Sequence, residues 1–151
     1  MEVTWFRRPA FLVMGIVRRI RGVTLDTGVI EQVWRQFESH HDLVRPLSTD
    51  LSYYGIRFPV NGGEGIDYHA GMAVRKAHTT PAGLMVREIP AARYAVFRCM
   101  PGQVESVLRA VITDWLPHSG ETRDPHAPVF EQYPPENASD PFVLIHLPVM
   151  D

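Results

Sequence analysis

The chain has 151 residues, of which 45% are hydrophobic and 21% charged, and this composition excludes a protein that is disordered throughout. Fifteen basic and seventeen acidic side chains give a formal net charge of −2, which argues against a nonspecific nucleic-acid binder. The one cysteine, Cys99, excludes an internal disulfide and a cysteine-rich zinc site.

The first predicted element is a buried strand. Residues 11–17 form the longest apolar run, which is far shorter than the roughly 20 residues that a membrane-spanning helix needs. Arg18, Arg19 and Arg21 follow this run without a small-residue cleavage site, so a signal peptide is not indicated. We therefore interpret residues 10–17 as a strand, and we expect a cytoplasmic protein that does not contact a membrane.

A helix and two strands complete the first half. Asp26 or Thr27 is the predicted N-cap of the helix. The apolar positions of this helix share one face: Val29, Ile30, Val33, Trp34 and Phe37. Residues 51–58 and 66–74 are predicted strands, and the glycine-rich segment 61–65 is the turn between them.

The second half repeats this order of elements. Its predicted strands are residues 84–89, 92–100, 129–133 and 142–149. Pro101 begins a helix that Pro117 is expected to end. The apolar positions of this helix also share one face: Val104, Val107, Leu108, Val111, Ile112 and Trp115.

The two similar halves predict the fold class. We expect an α+β fold of two pseudo-symmetric β-α-β-β units, joined in a mostly antiparallel sheet. Two helices would pack on one side of the sheet, and a ligand groove would lie between the halves. We expect residues 1–151 to form a single domain, with halves of roughly 1–80 and 81–151.

An acidic residue stands out in the strand at residues 129–133. Because side chains alternate along a strand, Glu131 shares its face with Tyr133 and not with Phe130. If Phe130 packs on the helices, Glu131 points into the groove. A carboxylate in such a place meets an internal cation, has a raised pKa or awaits a cationic ligand. The alternative is a surface glutamate on an edge strand.

Aromatic residues are the second feature. Trp115 ends the apolar face of the second helix. The others lie on predicted strands: Tyr53, Tyr54, Phe58, Tyr68 and Tyr94. Core packing is the default interpretation of any one of them. Several tyrosines together favour a wet cavity, because each hydroxyl needs a partner, and aromatic faces beside a carboxylate suit a lipophilic cation.

Four segments, taken together, resemble one known family. They are residues 130–133 (Phe-Glu-Gln-Tyr), 115–120 (Trp-Leu-Pro-His-Ser-Gly), 92–97 (Ala-Arg-Tyr-Ala-Val-Phe, ahead of Pro101-Gly102) and 145–149 (Ile-His-Leu-Pro-Val). The chain is similar to the GyrI-like small-molecule-binding domain, also called the bacterial transcription activator effector-binding domain. That domain is found at the C-terminus of AraC- and MerR-type multidrug regulators.

The resemblance implies a ligand site. Glu131 matches the buried family glutamate that contacts cationic, aromatic drugs, and Trp115 matches a family tryptophan. Tyr94 lies inside one of the matching segments. The other residues that we expect to bind ligand are Tyr133, Tyr68, Tyr54 and Phe58.

The predicted function is the binding of amphipathic, cationic aromatic compounds in drug or toxin sensing or sequestration. No helix-turn-helix pattern precedes the first strand, so we expect a stand-alone module, monomeric or weakly dimeric, without direct nucleic-acid binding. One alternative is a hydrolase of cyclopropane-bearing cytotoxins with Glu131 as base, so enzymatic activity stays open. Another is an inhibitor module that binds a protein partner through the acidic residues of segment 124–136.

Other chemistries have weaker support in the sequence. The seven histidines include no pair with the i, i+4 spacing of a helical zinc site, so we predict no metal and no cofactor. Ser119 and Gly120 lack the Gly-x-Ser-x-Gly pattern of a serine nucleophile. We interpret Cys99 as an inert core residue of an apolar strand.

Overall fold

The computed structural model describes residues 1–21, 27–62, 65–76 and 79–151. The predicted N-cap, which is Asp26 or the side chain of Thr27, lies outside the described residues. Residues 63 and 64 of the predicted turn at 61–65 lie outside them as well. One antiparallel sheet contains the strands of the described residues. They are β1 (Thr4–Arg8), β2 (Phe11–Ile20), β3 (Tyr53–Pro59), β4 (Ile66–Val74), β5 (Met85–Ile89), β6 (Ala92–Cys99), β7 (Val129–Tyr133) and β8 (Val143–Val149).

The strand order confirms the predicted α+β class and the relation between the halves. The order across the sheet is β1-β6-β8-β7-β3-β4-β2-β5, which is symmetric about the central β7–β3 pair. On one side of that pair β7 is followed by β8 and β6, and on the other side β3 is followed by β4 and β2, which are the corresponding strands of the first half. The outermost strands are exchanged, because β1 pairs with β6 of the second half and β5 pairs with β2 of the first.

The helices lie in the loops between these strands. They are α1 (Thr27–Glu38), α2 (His41–Val44), α3 (Val104–Ala110) and α4 (Leu116–Ser119). A π-helical segment, Val111–Trp115, joins α3 to α4 without a break. No helix of the described ranges is long and apolar enough to cross a membrane.

The second helical region does not end at Pro117, contrary to the sequence prediction. Pro117 lies in the first turn of α4, and the helix ends at Gly120, whose φ of 80° is left-handed. A proline lacks an N–H and clashes with the carbonyl four residues earlier. The wider π turn immediately before it, in which Leu116 N–H bonds to the carbonyl of Val111, makes room for that ring.

Both long helices cover the same face of the sheet. The apolar stripe of α1 packs on β2 and β4, and α3 packs on β8. Tyr53 packs with the residues of α1, and Tyr133 packs with those of α3. These two tyrosines are paired directly across β3 and β7, so their side chains, and with them the two helices, lie on the same face of the sheet. The central strands β3 and β7 therefore form the floor of a groove between α1 and α3.

The sheet is curved, and the face opposite the helices lies on its concave side. Only Pro9 and Ala10 separate β1 from β2, although β1 and β2 lie six strands apart in the sheet. Three peptide steps span at most about 11 Å, whereas six strand spacings in a flat sheet take about 29 Å. The sheet must therefore curl, and an aromatic core fills its concave side, with Phe130 fully buried there.

This concave core corrects one sequence expectation. Phe130 packs away from the helices, against Tyr54 and Tyr94. Glu131, on the other face of the same strand, consequently points toward the helices and into the groove between them. β1 was not predicted at all, because its five residues are exposed or only partly buried and carry no alternating apolar pattern.

Candidate functional site

The floor of the groove is built from residues that face each other across β3 and β7. Tyr53 is paired with Tyr133, Gly55 with Glu131, and Arg57 with Val129. Because side chains on one strand face repeat every second residue, Tyr53, Gly55 and Arg57 all face the groove. The floor thus runs from an aromatic end to a charged end, with Glu131 between them.

Glu131 is a buried carboxylate with a complete set of donors. Its side chain is 2% exposed. Arg57 donates from Nε to Oε2 over 3.0 Å, and the Tyr68 hydroxyl donates to Oε1 over 2.5 Å. The Tyr133 hydroxyl is 3.5 Å from the same Oε1. A carboxylate out of water is tolerated when it is paired and hydrogen-bonded in this way.

A glycine makes room for this carboxylate. A Cβ atom at Gly55 would lie 2.1 Å from the Tyr68 hydroxyl oxygen and 2.4 Å from Glu131 Oε1. No other residue type fits this position without displacing one of these two groups. Gly55 is therefore part of the site.

Arg57 connects Glu131 to a second carboxylate. Its Nη1 donates to Glu105 of α3 over 3.2 Å, and its Nη2 also contacts Glu105 closely. Burial by itself would lower the pKa of Arg57, but the charge of Glu131 and the bonds to both glutamates outweigh it and hold the pKa above its ordinary value. The guanidinium is therefore permanently charged.

The neighbouring tyrosines stay protonated. Burial, followed by the charge of Glu131, raises the pKa of Tyr68 well above its ordinary value. The same two causes raise the pKa of Tyr133. Both hydroxyls are consequently available as hydrogen-bond donors throughout the physiological pH range.

A cavity of about 320 Å³ opens at the aromatic end of the groove. We call it the aromatic cavity. Its lining residues come from α1, α2, β3, the end of β7 and the segment that follows β7: Trp34, Phe37, Glu38, His41, Tyr53, Tyr133 and Glu136. Trp34 meets Tyr133 edge to face, with ring centroids 5.5 Å apart, and meets Phe37 in the same way at 6.0 Å. Five aromatic rings, one of them the His41 imidazole, and two carboxylates thus surround one open space.

Two routes of aromatic side chains connect the aromatic cavity to Glu131. Tyr133 lines the cavity with its ring while its hydroxyl lies 3.5 Å from Glu131. Trp34 also lines the cavity, and its indole N–H donates to the Tyr68 hydroxyl over 3.0 Å. The chain of bonds from Trp34 through Tyr68 therefore ends on the Glu131 carboxylate.

A polar cluster lies at the rim of the cavity. The Tyr53 hydroxyl donates to Glu136 Oε1 over 2.6 Å, and Nε2 of His41 lies 2.6 Å from the same hydroxyl oxygen. Since the tyrosine proton goes to Glu136, the imidazole nitrogen donates to the oxygen. This cluster fixes the Tyr53 ring and holds the exposed carboxylate of Glu136 at the mouth.

Comparison with known proteins decides the family. A family model described as Cass2, integron-associated effector binding protein, matches residues 6–149. The chain belongs to this family.

Solved structures show that this effector-binding protein has the GyrI-like fold. SAV2435 bound to tetraphenylphosphonium superposes with a TM-score of 0.82 at 16% identity, covering 99% of this chain and 94% of that chain. The Vibrio cholerae integron cassette protein VCH_CASS2 gives 0.67 at 18% identity, with 98% and 95% covered. The C-terminal domain of EcmrR gives 0.70 at 12% identity, with 99% and 98% covered. No curated protein sequence matches the chain significantly.

The structure brings only some of the predicted site residues together. Tyr68 and Tyr133 lie with Glu131 in the groove. Three others, Tyr54, Phe58 and Tyr94, belong to the concave core on the opposite face of the sheet. The sequence could not separate these groups, because Tyr53 and Tyr54 are neighbours in the chain and point in opposite directions.

Trp115 also lies away from the aromatic cavity. Its ring packs edge to face on Phe97, with centroids 4.9 Å apart, and lies 6.1 Å from that of Trp5. It belongs to the core under α3. The seven residues predicted to bind ligand thus do not surround one cavity in the structure, and the ligand-binding role of each stays a prediction.

The sequence interpretation missed several residues of this effector-binding protein's groove. Trp34 and Phe37 were assigned to the apolar stripe of α1, and Arg57 and Glu105 were not singled out. The periodicity of α1 shows that Trp34 faces the protein interior, but it does not show that the indole ring lines a cavity. That follows only from the position of α1 beside the central strands. Among the side chains that the structure describes, no three metal-ligating residues are grouped to hold an ion.

Proposed function

We propose that this protein binds amphipathic, cationic aromatic molecules in the aromatic cavity, with Glu131 as the buried counter-charge. The observation that carries the proposal is the position of Tyr133, whose ring lines the cavity while its hydroxyl lies 3.5 Å from Glu131. A cation among the rings is thereby placed one aromatic side chain away from a carboxylate that is shielded from water.

The shape and lining of the cavity support a small-molecule ligand. Its volume of about 320 Å³ lies at the lower end of the range of about 300–1,000 Å³ that is typical of ligand pockets. Aromatic rings supply apolar contact area, and their faces attract positive charge. Glu38 and Glu136 add negative charge at the wall and rim.

The binding mode follows from the burial of Glu131. With 1% of the residue exposed, a cation in the aromatic cavity is attracted across the Tyr133 ring and not by direct contact. This attraction is little screened by salt, because the carboxylate is buried. The same family fold in SAV2435 holds tetraphenylphosphonium, which makes that compound the natural probe.

The hydrolase alternative has less support. Glu131 is 1% exposed and accepts hydrogen bonds from Arg57 and Tyr68. A general base must lie within reach of a water molecule, and this carboxylate is shielded from solvent. We therefore propose an effector-binding role and not a catalytic one.

Titration of tetraphenylphosphonium by calorimetry tests the proposal. We expect Glu131→Gln to weaken binding by about 1–3 kcal/mol, the scale of the attraction between two unit charges that lie several ångströms apart in a partly buried site. The matched control is Glu121→Gln, which removes another carboxylate paired with an arginine, Arg93, at 3.1 Å. Absence of binding by the wild type, or equal affinities of wild type and Glu131→Gln, would contradict the proposal.

A further inference from the structure

One arginine and two glutamates occupy the groove from its centre to its charged end. We call Glu131, Arg57 and Glu105 the ion cluster. Arg57 donates to Glu131 through Nε at 3.0 Å and to Glu105 through Nη1 at 3.2 Å. The side chains of Arg57 and Glu131 are 5% and 2% exposed, and that of Glu105 is 32% exposed.

The arginine creates a problem for cation binding. A guanidinium paired with Glu131 cancels the charge that is meant to attract a ligand. Glu105 removes this problem, because two carboxylates then share one guanidinium and the cluster carries a formal charge of −1. Glu105 comes from α3, so its contribution depends on how that helix packs beside the groove.

We propose that Glu105 determines the charge specificity of the ligand site, because through Arg57 it leaves the ion cluster with one surplus negative charge. The inference rests on the proposed function of the aromatic cavity. It predicts that the groove prefers monocationic aromatic molecules to neutral ones of the same shape. Glu105 does not line the cavity, so it acts on the ligand through charge alone.

Electrostatics in a buried site makes such an action effective. Interactions of buried charges are only weakly screened by salt, and they extend beyond direct contact. The other carboxylates near the ligand, Glu38 and Glu136, lie at the opposite, exposed end of the groove. Their charge is largely screened by water, so the charge of the ion cluster dominates inside.

A charge series at residue 105 provides the first test. Because Glu105 is one-third exposed, both replacements have access to water. Glutamine keeps a carbonyl acceptor for Arg57, whereas lysine removes the acceptor and adds a like charge, so circular dichroism is used to check that each variant is folded. We expect the affinity for tetraphenylphosphonium to fall about tenfold in Glu105→Gln and again about tenfold in Glu105→Lys. The affinity for triphenylphosphine oxide, a neutral probe with similar rings, should change less than twofold.

Keeping the charge provides the second test. Glu105→Asp retains the carboxylate that shares Arg57 with Glu131, so the ion cluster stays at −1. We expect this variant to bind tetraphenylphosphonium within about threefold of the wild type, in contrast to Glu105→Gln. Glu121→Gln, which changes the charge of the whole protein equally, should bind like the wild type.

The outcomes separate this inference from the proposed function. If the wild type does not bind tetraphenylphosphonium, the proposed function fails. If the wild type binds tetraphenylphosphonium but its affinity does not change across the variants at residue 105, only the role of Glu105 is overturned. The same holds if the affinities for both probes fall equally. A folded Glu105→Asp variant that binds as weakly as Glu105→Gln also overturns it.

Discussion

Gly55 lies directly opposite Glu131 in the pairing of β3 with β7, and its missing side chain is the space that the carboxylate and the Tyr68 hydroxyl occupy. The burial of an acidic group at the centre of the groove thus depends on a residue with no side chain on the neighbouring strand.

Gly55→Ala should therefore destabilise the protein. The added methyl group would come within 2.4 Å of Glu131 Oε1, so the carboxylate or Tyr68 must move. We expect the free energy of unfolding to fall by about 1–3 kcal/mol, the usual cost of overpacking. Urea unfolding followed by circular dichroism measures it. Gly102→Ala is the control, since nothing lies within 4 Å of a Cβ atom there; equal stability of the two variants would contradict the packing argument.

The two helix tryptophans should respond differently to truncation. Trp34→Ala removes one wall of the aromatic cavity, and we expect about 1–2 kcal/mol weaker tetraphenylphosphonium binding from the lost cation–π and apolar contact. Trp115→Ala removes the ring that packs on Phe97. It should lower the free energy of unfolding by about 2–3 kcal/mol and leave the affinity within twofold.

Calorimetry and urea unfolding of both variants measure these effects. The comparison also tests the ligand-binding role that the family resemblance implies for Trp115. A large loss of affinity in folded Trp115→Ala would restore that role and would show that the ligand reaches beyond the aromatic cavity.

Two buried histidines should make the protein sensitive to mild acid. Burial, then the charge of Arg87, lowers the pKa of His69 to about 4; burial, then Arg8, lowers the pKa of His146 to about 3. The unfolded chain protonates these groups near pH 6.5, whereas the folded protein does not. The unfolded state therefore binds more protons below pH 6.5, and stability falls as the pH decreases toward 4.

We expect a loss of roughly 1–2 kcal/mol for each histidine between pH 6.5 and 5. Urea midpoints at a series of pH values measure it. The double variant His69→Leu with His146→Phe should show a flatter profile over this interval, because neither position can then take up a proton. The ring of His146 stacks on Phe130 at 4.2 Å, so phenylalanine preserves that contact. An unchanged slope in the double variant would exclude these two groups as the cause.

Cys99 should be unreactive in the folded protein. Burial, followed by the charge of Glu131, raises the pKa of its thiol to about 11. At pH 8 the thiolate that reacts with electrophiles is scarce, and the residue is only 4% exposed. Labelling with a thiol reagent should be slow in buffer and at least a hundredfold faster in urea. Rapid labelling of the native protein would show that the core under α3 opens readily.

Much of the architecture was predictable from local patterns. The helical periodicity from Val29 to Phe37 and from Val104 to Trp115 identified both long helices, and alternation or apolar runs identified seven of the strands. These signals are strong because a helix or strand that buries one face must repeat its apolar residues at the period of its backbone. The edge strand β1 has no such signal, since it buries little.

The sequence by itself determined the helices, the central strands, the family and Glu131 as an acidic residue on a sheet strand. Only the tertiary structure decided which face that residue uses, that Arg57 and Glu105 accompany it, and that Trp34, not Trp115, lines the aromatic cavity. The physical reason is the range of the interactions involved. Periodicity is local, whereas Glu131 is bonded to Arg57 of β3 and Tyr68 of β4, and Arg57 is bonded to Glu105 of α3. These elements meet only when the sheet curls and the helices pack beside its centre.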